Sequence, residues 1–275
     1  MKIACELPSE RGVPIGKWDC AEIVRLLKEK GIVEAISRET VRRILAKHRL
    51  KPWRVHSWLS PRVPRDAAFA AAVREVLELY LRQLEPHEAV LCLDEKTSLQ
   101  PRERRAPTLP PAEGMPMRVE QEYRRSGALN LFAAFDTRSG KVIGQTAPRK
   151  RAQEYVAFLE HLDAQLPAEI TTVHLLQDNL RVHKGKVASA WFAEHPRFVV
   201  HYPPVHCSWL NQVEQWFGLL QRKALSVENF PSLEALAAHL LAWIAHWNEC
   251  AHPFNWTTKS VARVMARCAA VEAAA

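Results

Sequence analysis

No apolar run in this 275-residue chain approaches the roughly 20 residues that a membrane-spanning helix needs, so no helical membrane anchor is expected. A hydrophobic signal-peptide core is missing as well, because the opening residues, MKIACELPSERG, are mixed and polar. Cysteine is sparse. The six (Cys5, Cys20, Cys92, Cys207, Cys250 and Cys268) contain no C-x-x-C pair, which predicts a cytosolic protein with reduced thiols. His201, His206 and Cys207 lack the second close pair that would complete a zinc site.

What is present is core and charge. A hydrophobic fraction of 48% and nine tryptophans suffice for one large domain or two smaller ones. The net charge of +8 is confined to one end. Residues 1–65 hold 15 Lys and Arg against 7 Asp and Glu, and residues 66–275 hold 23 of each. A basic head on a neutral body points to a polyanion, most simply nucleic acid.

Within that head, residues 19–30 carry a helical pattern with Ala21, Ile23, Leu26 and Leu27 inward, stopped by Gly31. A short turn leads to Ser37, a favoured N-cap, and a second helix that buries Val41, Ile44 and Leu45. Two helices across a short turn make a helix-turn-helix pattern, although an ordinary helical hairpin with a solvated face would read the same way. In the first case Ser37, Arg38 and Thr40 at the start of the second helix meet DNA, with Arg42, Arg43 and Lys47 along its exposed side. The expected organisation is a DNA-binding domain over 1–56, a linker and bridging helix over 57–86, and an α/β domain over 87–275. Residues 57–65, with two prolines and no periodicity, are the linker proper, and a helix follows over 66–84.

From residue 87 strands and helices alternate. Ala89–Leu93 is an apolar run that meets Asp94, and Thr171–Leu176 is a second that stops at Asp178-Asn179. Ala128–Asp136 and Lys141–Thr146 flank a hairpin signal at Thr137-Arg138-Ser139-Gly140. Residues 100–126 show little pattern and predict a mobile or substrate-facing loop. Helices are expected over 150–166, near 184–194, over 232–249 and from 257, with a strand at 198–202 broken by Pro203-Pro204. Further on, Trp209, Leu210, Val213, Trp216, Phe217 and Leu220 form one helical stripe with Glu214 at its edge. Strand, hairpin, helix, strand, helix, strand, then helices is the order of a ribonuclease-H-like α/β fold with a mixed sheet flanked by helices. It would follow a small all-α head.

Open α/β sheets place their sites at strand C-terminal ends, so Asp94, Asp178 and Glu214 are the candidate site. Three converging carboxylates repel one another unless a hard cation neutralises them. With oxygen ligands only, Mg²⁺ or Mn²⁺ suits them better than zinc. Glu95, next to Asp94 on a strand, points to the opposite face and is not counted as a ligand.

The chain resembles bacterial transposases of the insertion-sequence 630 family, in the mariner-related DDE superfamily. The resemblance is carried by Leu93-Asp94-Glu95-Lys96-Thr97, by Gln177-Asp178-Asn179 with His183 and Lys184, and by Tyr202-Pro203-Pro204 followed by Trp209-Leu210-Asn211-Gln212-Val213-Glu214. It implies catalysis by Asp94, Asp178 and Glu214 on two Mg²⁺ or Mn²⁺ ions, with Asp94 bridging both. It also implies cleavage at transposon ends and joining of the freed 3′-hydroxyl to target DNA, usually at a TA step. Asn179 and His183 match the family's signature as groups that hold the metal-binding acids or position substrate, with a packed polar pair as the alternative. Relatives carry two helix-turn-helix units, and only the second finds its counterpart here. The implied partners are double-stranded DNA, as element terminal repeats and as target, and a second copy of the chain in a homodimer on DNA. No membrane partner is implied, and the setting would be the bacterial cytoplasm, at the nucleoid. The competing expectations are a ribonuclease-H-like nuclease without strand transfer and a catalytically relict DNA-binding regulator.

Overall fold

A computed structural model of the protein describes residues 1–55 and 66–272. The chain divides into two compact units, Met1–Ser60 and Pro61–Ala275. The linker expected over 57–65 lies outside the described residues.

In the first unit, α1 (Lys2–Cys5) and a 3₁₀ turn at Pro8–Arg11 precede α2 (Cys20–Glu29) and α3 (Arg38–Lys47). Asp19 caps α2 by accepting from the Ala21 and Glu22 amides at 2.7 and 2.9 Å, and Ser37 caps α3 by accepting from Thr40 N at 3.0 Å. Ile23, Leu26, Val41 and Leu45 close against Ile3 and Ala4. Two residues expected inside lie outside: Ala21 is exposed and Ile44 is 48% exposed. Ile44 stands about 80° around the helix from the centre of the Val41–Leu45 stripe, and so small a core does not wrap that far.

The second unit opens with α4 (Ala67–Leu81). Its Val73, Val76, Leu77 and Tyr80 join the same buried cluster as Val90 and Cys92, and the Tyr80 hydroxyl donates to Leu210 O at 2.6 Å. Then come β1 (Glu88–Leu99), β2 (Arg102–Arg104), β3 (Tyr123–Arg125), β4 (Leu129–Asp136), β5 (Val142–Ala147), α5 (Ala152–Gln165) and β6 (Thr172–Leu176). They are followed by α6 (Lys186–Glu194), β7 (Phe198–His201), α7 (Val213–Leu220), α8 (Leu233–Glu249) and α9 (Thr258–Glu272).

Five strands form one sheet in the order β5-β4-β1-β6-β7. β4 runs antiparallel to β1 and β5, while β1, β6 and β7 are parallel. This is the ribonuclease-H-like mixed sheet expected from the element order. Period-2 alternation feeds two cores. Leu91, Leu93, Phe132, Val173 and Leu175 face α5 and α6, whereas Val90, Cys92, Leu131, Phe135 and Leu176 face α4, α7 and α8. Tyr155, Phe158, Leu159 and Leu162 on α5 are fully buried, each contributing about 1.5–3 kcal/mol at most from area removed from water. The β4–β5 turn is held by Asp136, which accepts from Arg138 N at 2.9 Å. It ends at Gly140 with φ +75°, where an added Cβ would meet the His252 carbonyl carbon at 2.2 Å.

One expectation fails clearly. The stretch 100–126 is not a patternless loop but an antiparallel arm. Arg102 pairs with Arg125, Glu103 with Arg124 and Arg104 with Tyr123, and the bridges Leu109–Arg118 and Ala112–Met115 keep the same register to a turn at Glu113-Gly114. Gly114 supplies a φ of +70° there. Ion pairs Arg124–Glu103 and Arg105–Glu122, both 3.0 Å, cross between its strands. The base of the arm is tied down where Arg104 N donates to Asn229 Oδ1 at 2.9 Å.

Candidate active site

β1 lies in the middle of the sheet with β6 beside it in parallel, Cys92 opposite Leu176. β6 ends at Leu176, two residues before Asp178, while β1 runs on through Asp94, opposite Ala133 of β4, to Leu99. On the α7 side, Asn211 donates from Nδ2 to Leu93 O at 2.9 Å and to Asp94 Oδ2 at 3.4 Å. One turn later the Glu214 amide donates to Asn211 O at 3.2 Å, so the anchor that grips Asp94 also starts the helix carrying Glu214. Buried Val213, Trp216, Phe217 and Leu220 hold that helix to the sheet. The helix is shorter than its apolar stripe suggests. Ser208–Leu210 form a 3₁₀ turn, Trp209 is 42% exposed, and Glu214 is exposed in the first helical turn, where a carboxylate complements the helix dipole.

Burial pushes the Asp94 carboxyl up to about 7. The Glu95 amide, 2.7 Å from Oδ1, pulls it down, and the charges of Glu214, Glu95 and Asp178 push it further up. Burial would raise Asp178 too, but the hydrogen bond from His183, the Leu180 amide at 3.0 Å and the positive charges of His183 and Lys150 leave it below its usual value. His183 is buried, which alone would lower its pKa. Its contacts with Asp178 and Glu95 win, and it is raised to about 10.

His183 therefore bridges the two acids as an imidazolium, donating from Nε2 to Glu95 Oε1 at 2.7 Å and from Nδ1 to Asp178 Oδ1 at 2.8 Å. Asn179 turns the other way. Its Nδ2 donates to Pro203 O at 2.7 Å and its Oδ1 accepts from Lys184, whose ammonium lies 4.0 Å from the Tyr202 ring centroid. Of the two signature residues, His183 reaches the acids and Asn179 pins the loop that presents them.

Asp94 lies within electrostatic reach of both Glu214 and Asp178, but among the described residues no three His, Cys, Asp or Glu side chains are grouped closely enough to hold a metal ion. Asp178 spends Oδ1 on protein donors, and Glu214 faces outward. The donor set still suits a hard divalent cation. It is all oxygen, Asp94 holds its charge poorly at neutral pH without a positive neighbour, and the buried Asn211 Oδ1 beside it has no partner. Sequence reasoning missed Asn211, hidden in the run Leu210–Val213. A polar residue three before Glu214 in an apolar stripe was the available signal.

In the first unit, Arg38, Arg43 and Lys47 on α3 are exposed. Arg42 is committed to Glu39, at 2.6 and 2.7 Å, while Arg43 only approaches Glu39 at 3.9 Å. The Ser37 and Thr40 hydroxyls pair with each other at 2.9 Å as part of the cap.

The model of the DDE superfamily endonucleases matches residues 89–237, more than half of the chain. The chain belongs to that family. All three candidate acids fall within the matched span. Among curated proteins, this DDE-family chain is 28% identical over 134 residues to the insertion element IS630 uncharacterized 39 kDa protein of Shigella sonnei. That match covers 49% of the chain but only 38% of the relative. The resemblance drawn from the sequence motifs is borne out by these comparisons. Among solved structures, the Mos1 transposase paired-end complex with left transposon end aligns with a TM-score of 0.54 and 19% identity, over 95% of this chain and 80% of that one. The Mos1 mariner paired end complex with Mn gives 0.56 and 18% over the same shares. At such identities the likeness speaks for the fold.

Proposed function

We propose that this protein is an insertion-sequence transposase that binds the terminal-repeat DNA of its element, cuts at the ends and joins the 3′-hydroxyls to target DNA. Asp94, Asp178 and Glu214 would hold two Mg²⁺ or Mn²⁺ ions. The observation that carries this reading is Asp94 itself, half-buried on the central strand of a ribonuclease-H-like sheet and gripped by Asn211 from the start of the helix that carries Glu214. Such a pair of ions supplies activation of an attacking oxygen and stabilisation of a leaving oxygen at phosphorus. The protein's own contribution is placement. Asn211 orients Asp94 from the start of α7, His183 fixes Asp178, and Glu214 completes the set from a helix anchored by Trp216. The Mos1 paired-end complex with Mn supports divalent metal use, and the complex with a transposon end supports DNA as substrate. Two ends must be joined in one event, so the protein acts as a homodimer on DNA.

The test uses a DNA duplex ending in the inverted repeats that flank the gene. Nicking that requires Mg²⁺ or Mn²⁺, followed by joining of a pre-cut end to a second duplex, is the expected result. Nicking without joined products would favour a plain nuclease. Binding with neither would favour a regulator.

The first unit carries the DNA-binding part of this reading, because its exposed α3 cations and excess positive charge suit a phosphate backbone. Arg43→Ala is expected to lower the salt-dependence slope of binding by about 1, whereas Glu39→Ala, which frees Arg42 and removes a negative charge, is expected to tighten binding. Fluorescence anisotropy across a salt series measures both. Unchanged slopes would remove α3 from the interface.

A further inference from the structure

Glu95 follows Asp94 on β1 and leaves it on the opposite face, toward α5 and α6, where its side chain is 3% exposed. Its Oε1 accepts from His183 Nε2 at 2.7 Å, and the other ring nitrogen of His183 donates to Asp178 Oδ1 at 2.8 Å. The His183 side chain is fully enclosed. The Tyr155 ring lies 4.5 Å from it, and the Tyr155 hydroxyl donates to Gln177, the residue before Asp178. The imidazole is thereby held at both nitrogens and along one face. Asp178 Oδ1 is committed to this ring and to Leu180 N, while none of the hydrogen bonds among the described residues uses Oδ2.

We propose that Glu95 is a positioning residue of the metal centre: through His183 it fixes the Asp178 carboxylate so that Oδ2 stays available to a divalent ion. This rests on the reading of Asp178 as a ligand. A buried ionic pair is costly to assemble and contributes little to stability by itself. Here one end of the chain of contacts is a residue of the catalytic set, which gives the cost a purpose. Groups that orient ligands from behind typically govern 10–100-fold in metal affinity.

The experiment is Mn²⁺ titration calorimetry on the full metal-free chain, each variant held below its melting temperature. Asp178→Ala serves as the reference for loss of a ligand. Glu95→Ala is expected to weaken Mn²⁺ binding by about 10–100-fold, and Glu95→Gln, which keeps an oxygen acceptor for Nε2, to stay within about 3-fold of wild type. In a His183→Asn background, Glu95→Ala is expected to add no further loss, because its route to Asp178 is already cut. Should the alanine variant fail to fold, Glu95→Met keeps the volume without the acceptor and carries the same comparison. Wild-type affinity in Glu95→Ala or Glu95→Met, with Asp178→Ala impaired, would overturn the proposal, as would a further loss in the His183→Asn background. Wild-type affinity in Asp178→Ala would instead overturn the ligand assignment beneath it.

Discussion

Asp94→Asn is expected to reduce divalent-dependent nicking of terminal-repeat DNA by at least about 10³-fold while leaving DNA retention unchanged. Asn has the shape of Asp and keeps an oxygen to accept from the Glu95 amide, giving up only the long 3.4 Å contact from Asn211, which still donates to Leu93 O. What it removes is the charge at the centre of the cluster. Asp94 sits on a strand hydrogen-bonded on both sides, to β4 and β6, and Asn211 fixes its second oxygen, so no neighbour can swing in to replace it. Glu214 differs. It is exposed on the first turn of a helix with a longer, freer side chain, so Glu214→Asp should retain more activity than Asp94→Glu. Single-turnover nicking under saturating Mg²⁺, with anisotropy for DNA binding, decides the matter. Residual activity above a tenth of wild type in Asp94→Asn would remove Asp94 from the reaction.

Asp94 and Asp178 were legible because strands buried on both faces are written as unbroken apolar runs, and the first acid after such a run marks where the buried stretch stops. β6 ends there, whereas β1 runs on past Asp94 to Leu99. Glu214 was legible from a helical stripe, although the helix begins later than the stripe because Ser208–Leu210 turn as 3₁₀ before it. Alternation along β1 sends Glu95 away from Asp94, as the sequence implies. It could not reveal that His183 waits on the far side, because that contact joins residues 88 positions apart. The arm over 102–125 was illegible for another reason. Pro107, Pro110, Pro111 and Pro116 remove ladder donors, and an arm with no covered face carries no alternation to read.

Metal-free protein is expected to lose stability in its second unit as pH rises from about 5 to 8, and Asp94→Asn is expected to abolish most of that loss below pH 7. Asp94 titrates near 7 in the folded chain, against about 3.9 for an unperturbed Asp. Between those values the native state binds the extra proton, so stability falls as pH climbs through the window and stays reduced above it. The full difference corresponds to on the order of 2–4 kcal/mol, or roughly 5–10 °C in melting temperature for a unit of this size. Among the other shifted groups His201 opposes it. Burial and the neighbouring His174 hold its imidazole below the usual value, so its contribution to stability rises with pH up to about 6.5. The difference between wild type and Asp94→Asn isolates the Asp94 part. Asp178 and Glu88, both held below their usual values, add stability that is complete above about pH 5 and lost only in acid. His183, raised to about 10, adds stability that is complete below about 6.5 and fades as pH rises toward 10, which is the same direction as Asp94. Calorimetric melts of wild type and Asp94→Asn in chelator at pH 5, 6, 7 and 8 measure the effect, and parallel slopes for the two proteins would remove Asp94 as its source. Mn²⁺ at pH 8 should restore the wild type and not the variant, since a ligand that binds only the folded state adds stability in proportion to the logarithm of its concentration over Kd.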